Sequence, residues 1–129
     1  MGLDNWIMVK KHKSKTVNKL LSYIFTYDKY FDEYEILYYR KCWNLRYLIM
    51  DVTTECFNEH NELPIKQGEI KEIIKSFKSL NEHNWEDEGR SIWDFEEMEE
   101  AIKRDIKTLK RLYFLMFFLD LQPYFIDSY

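Results

Sequence analysis

The stretch "EYEILYYRKCWNLR", residues 33–46, decides the fold because the spacing of its hydrophobic residues changes within it. Over residues 33–39 successive residues are predicted to point to opposite sides, with Tyr34, Ile36 and Tyr38 on the same side. This is the spacing of a strand. From about Lys41 the apolar residues recur every three or four positions, which is the spacing of a helix. The stretch therefore predicts a strand over 33–39 that leads directly into a helix.

Further elements are predicted on both sides of this stretch. Residues 3–10 predict a strand, and residues 17–25 have the apolar spacing of a helix capped near Ser14 or Thr16. Downstream, the sequence "NELPIKQGE" predicts a connector, residues 68–80 a helix, and "NEHNWEDEGRS" a polar loop. The strongest periodicity predicts a long helix near 94–118, and Pro123 limits the C-terminal arm to an edge strand or an extended segment.

Together these elements predict an α+β fold that is mainly helical. We expect about four helices packed on a small antiparallel sheet, which is built from residues 3–10, residues 33–39 and the C-terminal arm. The chain has 129 residues with only three Gly and two Pro, so a single domain over 1–129 is expected and a sheet of many strands is not.

Charge is strongly segregated along the chain, although the net charge is only −4. Residues 82–100 hold nine acids against one Arg, and the sequence that follows turns basic. Such a segment is most often a solvated face, but it can also be a subunit contact or a surface that imitates nucleic acid. The candidate partner-binding residues in it are Glu86, Asp87, Glu88, Asp94, Glu96 and Glu97.

A second candidate site combines cations with aromatic rings near the predicted start of a helix. Guanidinium groups and flat rings suit a phosphate-bearing ligand or an unstacked base, and the N–H groups of a helix start favour an anion. The alternative is that Trp43 packs inward while Arg40 and Arg46 pair with acids of the 82–100 segment. The residues of this candidate ligand site are Tyr39, Arg40, Lys41, Trp43 and Arg46.

Catalytic and cofactor-binding patterns are missing from the sequence. His12, His60 and His83 are scattered without the spacing of a metal site, and no glycine-rich phosphate loop is present. Cys42 follows two cations and could be a reactive thiol, but a buried structural thiol is the commoner case. We therefore expect a protein that is not an enzyme and that carries neither a cofactor nor a metal.

The sequence also favours a cytoplasmic location. Lysines follow the N-terminus closely, without the apolar region of a signal peptide, and the apolar run 112–119 is too short to span a bilayer. Cys42 and Cys56 would lie about 21 Å apart on one helix, beyond the reach of a disulfide. We expect no membrane contact.

The opening "MGLD" and the central "YYRK" resemble a family of small, uncharacterised phage and prophage proteins. Met1 to Asp4 match the opening of that family, and Tyr38, Arg40 and Lys41 match its central Y-W-R-K-A-N-type motif, with Tyr39 in place of the usual Trp. Trp43 and Arg46 stand where the family tends to have Asn and His. The resemblance implies a small α+β fold and a phage origin, and it implies no established activity.

Without a catalytic constellation, a small phage protein is expected to act by stoichiometric binding. The leading hypothesis is an anti-defence protein, similar in action to an anti-CRISPR, that blocks a host defence protein such as a CRISPR effector through the acidic 82–100 segment. One alternative is a protein that sequesters a nucleotide signal at residues 38–46, and another is a structural or scaffold phage protein. A homodimer is compatible with all three, and direct nucleic-acid binding is not expected.

Overall fold

The computed structural model describes residues 4–40, 42–53, 62–88 and 94–128 and confirms an α+β fold. The strands are β1 (Asp4–Val9), β2 (Thr26–Asp28), β3 (Glu33–Arg40), β4 (Glu62–Pro64) and β5 (Pro123–Ser128). The helices are α1 (Lys15–Ile24), α2 (Trp43–Val52), α3 (Gln67–Lys78), α4 (Glu82–Glu88) and α5 (Phe95–Leu115). Within the described residues the strands form one antiparallel sheet in the order β2-β3-β1-β5-β4.

The opening stretch folds as its spacing predicts. The predicted strand is β3, which extends to Arg40, and α2 begins at Trp43, only three residues later. The predicted strand over 3–10 is β1, which lies between β3 and β5. The long helix predicted near 94–118 is α5, with 21 residues.

The C-terminal arm belongs to the sheet as predicted, but the prediction that Pro123 limits it to an edge strand or an extended segment is wrong. β5 lies inside the sheet, paired with β1 on one side and with β4 on the other. Pro123 is tolerated because it is the first residue of β5, where its carbonyl still accepts a hydrogen bond from the Ile65 N–H at 3.0 Å. The edge position belongs to the three-residue β4, inside the segment predicted as a connector.

The prediction of about four helices is one short, because residues 82–88 of the predicted polar loop form α4. A helix of seven residues is too short to show a clear periodic pattern in the sequence. Trp85 of α4 is 4% exposed and packs on Phe95 of α5 with ring centroids 6.1 Å apart. Asn81 and Asn84 close the start of α4 by accepting from each other's backbone N–H at 2.8 and 3.0 Å.

The helices cover one face of the sheet, and the described elements share one hydrophobic core. On β1, Ile7 is paired with Leu37 of β3 and with Phe125 of β5, so the three side chains lie on the same face and are buried there. The fully buried residues that α3 and α5 contribute include Ile70, Ile73, Leu109 and Leu112.

The inward stripe of α5 differs in part from the predicted one. Met98, Ile102 and Leu109 are buried as predicted, whereas Ile106 and Tyr113 are only partly buried. Asp105 and Leu112 are buried in their place. The stripe is rotated because α5 packs on β3 as well as on α3, and a carboxyl side chain faces the sheet as a result.

The opposite face of the sheet carries an aromatic cluster. Trp6 stacks on Tyr38 at 5.3 Å between ring centroids and meets Phe31 edge-on at 5.2 Å. Phe31 reaches this face from the turn between β2 and β3, where Asp28 accepts from two backbone N–H groups and Asp32 has a φ of 56°. The sheet is therefore covered by helices on one side and in part by rings on the other.

Candidate functional site

The predicted ligand site at 38–46 is split between the two faces of β3. Tyr39 points into the core, where it is 3% exposed, and its hydroxyl donates to the carboxylate of Asp105. Tyr38 and Arg40 point the other way and are exposed, and the Tyr38 hydroxyl donates to Asp4 at 2.8 Å. Because neighbouring strand residues face opposite sides, a ligand could not contact Tyr39 together with Tyr38 and Arg40.

The remaining members of that cluster add little to an exposed surface. Arg46 is 8% exposed, and its guanidinium lies 5.8 Å from the centre of the Tyr47 ring. Lys41 lies outside the described residues, as does the side chain of Trp43, so the predicted inward packing of Trp43 stays a prediction. The nucleotide site also stays a prediction, and in the structure its described members do not form one surface.

The acidic segment occupies the start of α5 and the adjacent α4. Asp94, Glu96, Glu97 and Glu100 are exposed at the start of α5, and we call these four residues the acidic face. The backbone of Glu86, Asp87 and Glu88 belongs to α4, while their side chains lie outside the described part of the chain.

The acidic face is held in place by the helix that carries it. Asp94 is the N-cap of α5 and accepts from the Glu97 N–H at 2.8 Å. Among the described residues, Glu96, Glu97 and Glu100 make no ion pair, whereas Glu99 pairs with Lys103 at 3.3 Å. Three carboxylates therefore lie exposed to solvent on one helix, where a cationic surface could approach them.

A cleft that the sequence did not reveal lies between the β2–β3 edge and α5. Its volume is about 390 Å³, and its polar lining includes Glu35, Arg104, Asp105 and Thr108. Burial raises the pKa of the Glu35 carboxyl, and the charges of Asp28 and Asp105 act in the same direction. Two acids held near each other in a cleft are a recognisable candidate site, although structural networks produce the same signature.

The inner acid of this cleft has a clear structural role. Asp105 is 4% exposed, accepts from the Tyr39 hydroxyl and lies 3.6 Å from the Arg104 Nε. Burial raises the pKa of Asp105, although the Tyr39 hydrogen bond and Arg104 act in the opposite direction. Burial also raises the pKa of Tyr39, so this pair keeps a neutral phenol against the carboxyl. The contact ties β3 to α5.

One sequence signal pointed to Asp105. It stands three residues after Ile102 and four before Leu109, which is the spacing of the buried face of α5. A charged residue at such a position requires a partner. The partner Tyr39 could not be identified, because the register of β3 against α5 is set by tertiary packing.

Other kinds of site can be described only for the residues that the structure covers. Within 4–40, 42–53, 62–88 and 94–128, no group of three or more His, Cys, Asp or Glu side chains is placed to hold a metal ion. No helix in the same ranges combines the length and the apolarity needed to cross a membrane.

Comparison of the chain with family models, with curated proteins and with solved structures gives no match.

Proposed function

We propose that this protein acts by binding a partner protein stoichiometrically and that the acidic face is its contact surface. The observation that carries the proposal is the set of exposed carboxylates of Glu96, Glu97 and Glu100, which make no ion pair within the described residues. Like charges on one helix repel one another, so the approach of cations lowers the electrostatic free energy of such a surface. The expected partner surface is therefore rich in Lys and Arg.

Surfaces that bind nucleic acid have this character, because they neutralise phosphates with Lys and Arg. A protein that presents carboxylates on a rigid support can occupy such a surface and exclude the nucleic acid. Together with the resemblance to phage proteins, this supports a phage-encoded anti-defence inhibitor directed at a host protein such as a CRISPR effector. Both the phage origin and the identity of the target belong to the proposal.

Binding also suits the rest of the described structure better than catalysis does. Asp105, whose pKa is raised by burial, is engaged by Tyr39 and Arg104, so its contacts hold the fold together. Glu35 is half-buried, and the groups that shift its pKa are Asp28 at the end of β2 and Asp105 and Arg104 of α5, which pack against the same edge of the sheet. We therefore include the absence of catalysis in the proposal.

The test is inhibition of a purified CRISPR effector nuclease by the wild-type chain and by a variant with Glu96→Gln, Glu97→Gln and Glu100→Gln. We expect inhibition to be complete near one equivalent of wild type and to need at least about tenfold more of the variant, because charge pairs at the contact are lost. A matched control removes three exposed acids elsewhere, with Asp51→Asn, Glu72→Gln and Asp120→Asn. Equal potency of the acidic-face variant and the wild type would remove this surface from the proposal.

A further inference from the structure

The exposed side of α5 is divided into an acidic part, a basic part and an aromatic part. The acidic face lies at its start, and large aromatic side chains are exposed where the helix ends. Phe114 is 61% and Phe118 is 70% exposed, and their rings contact each other at 5.2 Å between centroids. The exposed residues that follow the acidic face along this side are Lys103, Arg104, Lys107, Lys110, Arg111, Phe114 and Phe118.

α1 adds a second wall to the aromatic part. Tyr23 of α1 is 80% exposed and lines a groove of about 430 Å³ together with Ile24, Arg111, Phe114 and Leu115. Large aromatic side chains exposed side by side are uncommon on a monomer and mark a contact surface. The groove is concave and carries a cation at its edge, which suits a protein surface with acids beside apolar groups.

Among the described residues, the cations near this groove have no acidic partner. In the part of the chain that the structure describes, Lys107, Lys110 and Arg111 make no ion pair. Lys110 instead lies against the ammonium of Lys78 on α3, and this contact lowers the pKa of Lys110. Like charges brought together at the surface favour the approach of an anionic group.

The acids that could form ion pairs with these cations lie on the same helix, but they are too far away along it. Glu97 and Arg111 are fourteen residues apart, or about 21 Å along a straight helix, so their side chains cannot meet. A second helix with the same sequence, running antiparallel, would bring each acidic end to a basic end. The contact would form twice, once on each side of a two-fold axis.

We propose that a second copy of this chain docks on the exposed side of α5, with the two α5 helices antiparallel and the axis near residue 104. Glu97 of each copy then lies opposite Arg111 of the other, and Glu100 lies near Lys107. Phe114 of each copy then lies near the first turn of the facing helix. The cations nearest the axis already have acids, since Lys103 pairs with Glu99 and Arg104 lies beside Asp105.

Charge complementarity favours this arrangement over direct pairing of the two aromatic ends. Pairing the aromatic ends would bring Lys110 and Arg111 of both copies together and leave the acids without partners. In the antiparallel arrangement, the acids at the start of each α5 pair with the cations near the end of the other. It also goes beyond the proposed function, since a second copy and a target would compete for the acidic face.

The test is the oligomeric state measured by sedimentation equilibrium without any target. We expect a dimer at micromolar concentration and low salt that dissociates as salt is raised, because exposed charges are screened. Reversing one end, with Glu97→Lys and Glu100→Lys or with Lys107→Glu and Arg111→Glu, should raise the dimer dissociation constant at least about tenfold. The variant with all four changes should form the dimer again, because the complementarity is restored in reverse.

Two controls separate this contact from general effects of charge and apolarity. Lys71→Glu with Lys75→Glu makes the same charge change on the exposed side of α3 and should leave the dimer intact. Phe114→Ser should weaken the dimer, whereas Tyr30→Ser, at a side chain that is 90% exposed in the β2–β3 turn, should not.

Several results would overturn the inference. A wild type that stays monomeric at low salt up to about 0.1 mM would do so, as would a dimer insensitive to reversal at either end of α5. A monomer that binds vesicles of anionic lipid through Phe114 and Arg111 would assign the groove to a membrane surface instead. Target inhibition measured on the Lys107→Glu, Arg111→Glu variant, whose acidic face is intact, tests the proposed function separately.

Discussion

At the scale of single residues, Asp105 is a buried acid whose ionised form lowers the free energy of unfolding. Its carboxyl binds a proton more tightly in the folded protein than in the unfolded chain, since burial raises its pKa above the ordinary value of 3.8. The free energy of unfolding contributed by this group therefore falls as pH rises from about 3.8 through the raised pKa, and it stays reduced above that.

We predict that Asp105→Asn stabilises the protein at neutral pH, because the amide oxygen still accepts from Tyr39 and no charge is buried. The gain should shrink as pH is lowered toward 3.8, where the wild-type carboxyl also becomes neutral. Urea unfolding across this pH range measures it, with Asp120→Asn at an exposed position as the control. A loss of stability that does not change with pH would show that the carboxylate's contacts outweigh its burial.

Asn5 is a second polar residue in the core. Its side chain lies in the central strand β1 with 0% exposure, and among the described residues neither its amide nitrogen nor its oxygen has a hydrogen-bond partner. A buried polar group without a partner lowers stability by about 1–3 kcal/mol. Replacing it with an apolar side chain of similar size removes that penalty.

We predict that Asn5→Leu raises the free energy of unfolding by about 1 kcal/mol. The matched comparison is Asn18→Leu, which should lower it by about the same amount, because Asn18 donates to the His12 carbonyl at 2.7 Å and accepts from its N–H at 2.8 Å. Chemical denaturation of the two variants measures the difference. A destabilising Asn5→Leu would indicate that water or another group satisfies Asn5.

At the scale of elements, α5 depends on its first turn. The Asp94 carboxylate accepts from the N–H of Glu97, and the negative charge also suits the positive end of the helix dipole. We predict that Asp94→Ala lowers the free energy of unfolding by about 1 kcal/mol. Asp94→Asn keeps the cap and should retain most of the stability, although it removes the charge. Thermal unfolding measures the stability of both variants. Equal losses of stability in Asp94→Ala and Asp94→Asn would contradict a capping role.

The sequence predicts long elements well because their spacing repeats. β3 and α5 were identified from side chains that alternate or recur every three to four residues. The three-residue strands β2 and β4 are too short to show any period, and their existence depends on pairing with β3 and β5. The same holds for the seven-residue α4, where Trp85 packs on Phe95 of α5.

The candidate site was predictable where charge alone defines it. The acidic face follows from composition, since a dense run of acids is rarely buried. The cleft at Glu35 and the burial of Tyr39 rather than Tyr38 depend on how β3 meets α5, which no local pattern reports. The hypothesis of a ligand site at 38–46 did not take the alternation of strand residues into account. That alternation places Tyr38 and Tyr39 on opposite faces of β3, and Tyr39 lies on the buried one.

At the scale of the whole molecule, the arrangement of charge matters more than its sum. One long helix carries exposed acids at its start and exposed cations and rings at its end, so a single element offers two complementary surfaces. This links the two proposals. A variant that prevents pairing of copies but keeps the acidic face should inhibit a target at least as well as the wild type, because no second copy competes for that face.

The central claim is that this protein works by stoichiometric contact through its acidic face. Its most direct test is calorimetric titration of a purified partner, captured from a bacterial lysate, with wild type and with the Glu96→Gln, Glu97→Gln, Glu100→Gln variant. The account predicts saturation at one protein per partner site for the wild type and binding at least about tenfold weaker for the variant. Equal binding of the two proteins, or turnover of a substrate at amounts far below one equivalent, would contradict it.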